Sequence, residues 1–201
     1  MKHLIQRGES IKMKGSLFDR ENRIVVFLPN TKALAIHDMR FLTRRNVTVE
    51  AMEHPFGNFS CILQSRTNGK IYICGGKQRK KLFELDEAGH ALIEKEEMRF
   101  GRSNHAFTEV RGSLVVVGGW DGEKAMTQVE GYSISSQEWR QMPRLSEPRH
   151  SLSCTVLGDN VVYAIGGSSA INYGSSSATI ERLDLANPNF ADVCYLSLIH
   201  I

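Results

Sequence analysis

The chain has 201 residues, 41% of them hydrophobic and 23% charged, enough for one or two domains with a real core and too apolar for a disordered chain. Lys and Arg total 25 against 22 Asp and Glu, a net charge of +3, which argues against a dedicated nucleic-acid or membrane-surface binder. Four cysteines without a C-x-x-C pair read as reduced thiols of a cytoplasmic protein, and no apolar run nears the roughly 18 residues of a membrane span.

Residues 1–15 carry scattered charges and read as an N-terminal extension without the apolar core of a secretory signal. From 16 to 58, the apolar run Ile24–Leu28 and the segments Ala33–Asp38 and Val47–Met52 predict strands of a divergent first unit. The second unit, 59–98, is plainer. An apolar run at 59–63 meets the turn signal Asn68-Gly69, then Ile71-Tyr72-Ile73-Cys74 ends in Gly75-Gly76. Mixed segments at 81–86 and 92–98 follow. The third unit, 99–143, repeats this order: 105–110, the turn Arg111-Gly112, Val115–Val117 ending in Gly118-Gly119, then 129–134 and 138–142. The fourth, 144–185, has 151–157, the turn Gly158-Asp159, Tyr163–Ile165 ending in Gly166-Gly167, and 179–185, with no outer strand. The first glycines lie 43 and 48 residues apart, an interval that signals a repeat architecture.

Within each unit the strands grade from apolar on both faces to solvated, which describes a sheet running outward from an interior axis. The predicted fold is all-β: an incomplete propeller of about four blades, each a four-stranded antiparallel sheet, the last truncated. Where sheets converge on the axis a Cβ has no room, so the glycine pairs Gly75-Gly76, Gly118-Gly119 and Gly166-Gly167 are expected at the hub.

The glycine pairs, GGWDG at Gly118–Gly122, VEGYSISSQEWRQMP at Val129–Pro143 and Pro148-Arg149 resemble kelch repeats, well over 59–185 and weakly over 24–52. The resemblance implies that Trp139 and Met142 pack between blades. It also implies that the loops after the glycine pair and those leading into each first strand form a partner-binding rim. Those positions are Lys77, Arg79 and Lys80; Trp120, Asp121 and Glu123; Ser168, Ser169, Asn172 and Tyr173; and, in the lead-in loops, Arg102, Ser103, Asn104, Arg149, His150 and Ser151. Arginine suits a rim because its planar fork holds a carboxylate at two points, so Arg102 and Arg149 are expected to grip an acidic peptide.

No metal-ligand spacing, nucleophile elbow or phosphate loop appears, so neither a metal, a cofactor nor catalysis is expected. The expected function is a protein-interaction module without nucleic-acid or membrane partners. The alternatives are substrate recognition in a cullin-type ubiquitin ligase and, less favoured, a propeller enzyme of the oxidase or lyase type. The basic run Lys77–Lys81 reads as a solvated loop. Residues 186–201 match no repeat position, and their ending reads as translated adapter sequence rather than native chain.

Overall fold

The computed structural model describes residues 16–18, 23–27, 33–38, 42–48, 59–77, 79–85, 92–170 and 176–185. It forms four antiparallel sheets in chain order. The first holds β1 (Ser16–Phe18), β2 (Arg23–Phe27), β3 (Ala33–Asp38) and β4 (Thr43–Thr48); the second β5 (Cys61–Gln64), β6 (Ile71–Cys74), β7 (Leu82–Leu85) and β8 (Leu92–Lys95). The third holds β9 (Ala106–Val110), β10 (Ser113–Val117), β11 (Val129–Ser133) and β12 (Trp139–Met142); the fourth has β13 (Ser153–Leu157), β14 (Val161–Ile165) and β15 (Ile180–Asp184). Strands within each sheet pair in simple up-and-down order. β4 begins four residues before the expected Val47.

The hairpin turns follow local chemistry. Arg111 and Gly112 are both left-handed, at φ 48° and 69°, the geometry that suits a two-residue loop to the twist of its strands. The next layer is packing. Tyr72, Cys74, Leu82 and Met98 of the second unit bury against Leu114, Val116 and Tyr132 of the third, with Trp139 packed alongside. On the other face of the third sheet, Val115, Val117, Val129 and Met142 bury against Val162, Ala164 and Leu183 of the fourth. Trp139 and Met142 therefore lie at the two seams of the third sheet, and its second strand β10 is buried at every position.

Successive first strands touch across the sheets, β1 on β5, β5 on β9 and β9 on β13, so these strands surround the axis. The glycine pairs end the second strands, one layer further out. The expectation that they sit at the hub is corrected by the atoms they meet. A Cβ on Gly75 would lie 2.7 Å from the Arg102 carbonyl oxygen, and one on Gly118 only 2.5 Å from that of Arg149. The amides of the following glycines donate to the same carbonyls, Gly76 N–H to Arg102 at 2.9 Å and Gly119 N–H to Arg149 at 2.7 Å. Gly75-Gly76 and Gly118-Gly119 are each a seat for the lead-in segment of the next unit, with positive φ at both residues.

Candidate functional site

Lead-in segments and post-glycine loops meet at one end of the axis. In the third unit Ser103 N–H donates to the Trp120 carbonyl at 2.9 Å and Trp120 N–H returns to Ser103 at 2.7 Å. In the fourth, His150 and Ser168 exchange the same two bonds, each 2.9 Å. The two kinds of loop are thus one short ribbon in each unit. Trp120 and His150 then join the units, their rings edge to face with centroids 5.2 Å apart. His150 is further fixed by Ala170 O, 2.9 Å from Nε2.

A second set of bonds runs around the axis. Asn104 N–H donates to the Phe59 carbonyl at 3.3 Å, and Ser151 N–H donates to the Asn104 carbonyl at 2.7 Å. Phe59, Asn104 and Ser151 each stand two residues before their first strand, and all three are left-handed, with φ of 69°, 51° and 54°. This conformation is uncommon for side chains other than Asn and Asp, and its recurrence fixes the direction in which each lead-in turns into its strand. Inside this chain of bonds an open cleft of about 360 Å³ is lined by Phe59 to Ile62, Asn104 to Phe107 and Ser151 to Cys154.

Arg102 and Arg149 are not on this surface, which corrects their expected role as grips for a partner peptide. Both are buried, at 0% and 1% exposure. The Arg102 guanidinium pairs with the buried Glu130 carboxylate and donates from Nη1 to the carbonyls of Gly118, 2.7 Å, and Gln128, 2.8 Å. Arg149 donates from Nε to Glu181 at 2.8 Å and from Nη1 to Gly166 O at 2.9 Å. The planar fork does bind a carboxylate, but one from its own sheet, and it ties the lead-in to the end of the glycine strand. The remaining carboxylate oxygen of Glu130 accepts the Arg99 amide at 2.8 Å. Burial draws the Arg102 pKa down, and the facing Glu130 charge opposes it. Removing one partner of such a pair costs roughly 3–5 kcal/mol, because the other is left buried and unpaired.

Glu130 and Glu181 were missed as members of the site, although the spacing Arg102 to Glu130, 28 residues, recurs as Arg149 to Glu181, 32 residues. In the second unit the strand register puts Phe83 where Glu130 stands. Counting back from β5, the arginine position there is taken by Gly57, which lies outside the described residues. The sequence thus lacks both partners of the pair in that unit.

The other expected rim residues divide by exposure. Lys77, Lys80, Glu123 and Ser169 are exposed, and Arg79, Asn104, Trp120, Asp121 and Ser151 half-buried. Ser103, His150 and Ser168 are buried in the ribbons. Asn172 and Tyr173 lie outside the described residues. Asp121 is shaped by its loop: burial pushes its carboxyl up, but the amides of Lys124 and Glu123, both 2.9 Å from Oδ1, outweigh this and hold its pKa below the usual value. Among the described residues no three His, Cys, Asp or Glu side chains gather as metal ligands, and no helix is long and apolar enough to cross a membrane.

Antiparallel sheets set in sequence around an axis, three of four strands and one of three among the described residues, with their lead-in loops joined at one end, define a β-propeller architecture. The Kelch motif family matches residues 101–146, which cover nearly all of the third unit. The third unit thus carries a Kelch motif, and the chain is similar to kelch-like proteins. It is 29% identical over 105 residues to Kelch-like protein 41a of Danio rerio, covering 50% of this chain and 17% of that protein. It is 25% identical over 120 residues to human Kelch-like protein 6, covering 59% and 19%. It is 31% identical over 71 residues to the influenza virus NS1A-binding protein homolog of Xenopus laevis, covering 35% and 11%. The matched region is therefore less than a fifth of each relative's length. The solved structure of YjhT superposes with a TM-score of 0.68 at 12% identity, over 87% of this chain and 62% of that one, a likeness of fold.

Proposed function

We propose that the chain is a protein-interaction module that receives a peptide segment, acidic in character, at the end of the axis where the lead-in and post-glycine loops meet. The observation that carries this reading is the hydrogen-bonded series Phe59–Asn104–Ser151 around an open cleft, which holds polar side chains half-exposed at its mouth on a rigid base. Preformed surfaces of this kind bind without a large ordering cost. Lys77 and Lys80 are exposed on the adjoining loop of the second unit and supply the positive charge that favours an acidic partner. The similarity to kelch-like proteins supports an interaction module over an enzyme.

Selection of a random displayed peptide library on the immobilised chain tests this reading. Peptides enriched in Asp and Glu are expected, with affinity falling about tenfold or more in Trp120→Ala and in Lys77→Glu combined with Lys80→Glu. Arg66→Ala, in the hairpin turn at the opposite end of the sheets, is expected to leave affinity unchanged. Peptides whose binding survives the rim changes but is lost with Arg66→Ala would place the contact on the wrong end and overturn the proposal.

A further inference from the structure

Cys61 on β5 and Cys74 on β6 stand directly opposite one another. Side chains so paired on antiparallel strands leave the sheet on the same face. Gly75 N–H donates to Lys81 O on the β7 side, so the backbone groups of Cys74, one residue earlier, turn towards β5. The two cysteines therefore form a hydrogen-bonded pair, whose Cα atoms lie about 5.5 Å apart, inside the span that disulfides bridge.

The two thiols differ in access. Cys61 is half-buried and lines the axial cleft, its Sγ donating to the His105 carbonyl at 3.0 Å. Cys74 is 1% exposed, its sulfur 3.5 Å from Met98 Sδ, and burial pushes its thiol well up. One sulfur can be reached by a small oxidant, and the other waits behind it. Cys154 also lines the cleft, but its cross-strand partner is Ala164.

We propose that Cys61 and Cys74 are a reversible redox pair, with Cys61 the site of attack by hydrogen peroxide and Cys74 the resolving thiol. The Cys61 thiolate attacks one peroxide oxygen and the O–O bond breaks, giving a sulfenic acid and hydroxide, which takes up the proton Cys61 released. The Cys74 sulfur then attacks the Cys61 sulfur. The S–O bond breaks, and the hydroxyl leaves as water with the Cys74 proton. Two thiols and one peroxide become one disulfide and two waters. The bond ends the Cys61 donation to His105 O, a link between the second sheet and the lead-in of the third unit. Cβ atoms of a hydrogen-bonded pair sit further apart than the roughly 3.8 Å mean of relaxed disulfides, so the bridge is strained and easily reduced.

The test is to expose the reduced chain, with Cys194→Ser as background, to hydrogen peroxide, quench by alkylation in acid and map the peptides. The expected result is a loss of about 2 Da, a linked Cys61–Cys74 peptide, and reversal by dithiothreitol. Cys74→Ser is expected to leave a Cys61 sulfenic acid that dimedone traps, and Cys154→Ser to change nothing. A bridge from Cys61 to Cys154, or Cys61 oxidised in the otherwise unsubstituted background without a bridge, would overturn the proposal. Because the mapping is done on a chain retaining both cysteines, the result does not depend on how any substituted chain folds.

Discussion

His105 is fully enclosed between the second and third units, and neither ring nitrogen has a hydrogen-bond partner among the described residues. Burial first, and the Arg102 charge second, draw its pKa down to about 3. The folded chain therefore holds His105 neutral while the unfolded chain protonates it near its ordinary value of 6.5. Its contribution to stability is complete above pH 6.5 and is lost as pH falls from there towards 3, at about 1.4 kcal/mol per pH unit. Glu84, held low by Lys70 and Lys95 against the burial that raises it, adds acid sensitivity of the same sign at lower pH. Between pH 6.5 and 5, urea unfolding should show the natural chain losing about 2 kcal/mol and His105→Leu much less. Parallel curves for the two proteins would contradict this reading. The arginines carry a related lesson. Their chemistry was legible, a fork seeking a carboxylate, but a sequence does not say whether that carboxylate belongs to a partner or to the same sheet.

The strands themselves were largely legible, because each depends on local signals. Apolar runs, turn residues such as Arg111-Gly112 and the repeat interval all act within a few residues or recur at a fixed distance. β4 was displaced because its unit has Leu28-Pro29 in place of the glycine pair that marks the strand order elsewhere. What the strands could not reveal is which faces are covered. Val117 and Ile165 end equivalent strands and pair with Ala106 and Ser153 at the same register. Val117 is 0% exposed under the fourth sheet, and Ile165 is 38% exposed on a face with no neighbouring sheet among the described residues. Both sequences look like fully buried strands. Lysine at Val117 would bury a charge without a partner, whereas lysine at Ile165 keeps its ammonium in water. Thermal unfolding should therefore show Val117→Lys failing to give a cooperative transition and Ile165→Lys shifting the midpoint by no more than a few degrees. Equal damage from the two changes would mean that the Ile165 face is covered.

At the scale of the whole molecule, the units are held by contacts with their sequence neighbours, as in other repeat architectures. The seams share one design: a buried apolar cluster between sheets, the Phe59–Asn104–Ser151 series of backbone bonds around the axis, and a lead-in carbonyl seated on a glycine pair. The glycine pairs were readable as close approaches of backbone, but not as approaches of the next unit, since spacing alone does not say which layer of a sheet faces the axis. The seat is what distinguishes this account from one in which glycine serves backbone conformation alone. Gly118 and Gly166 occupy the same place in successive units with nearly the same φ, 59° and 63°. A Cβ at Gly118 would meet the Arg149 carbonyl oxygen at 2.5 Å, whereas at Gly166 the nearest atom is Ser177 O at 3.5 Å. Each alanine substitution bears the left-handed penalty of roughly 1–2 kcal/mol, and only the first also displaces a backbone. Urea unfolding of Gly118→Ala and Gly166→Ala measures this difference directly. Gly118→Ala is expected to be destabilised by at least about 2 kcal/mol more than Gly166→Ala; equal losses in the two variants would contradict the role of Gly118 as a seat for the Arg149 carbonyl.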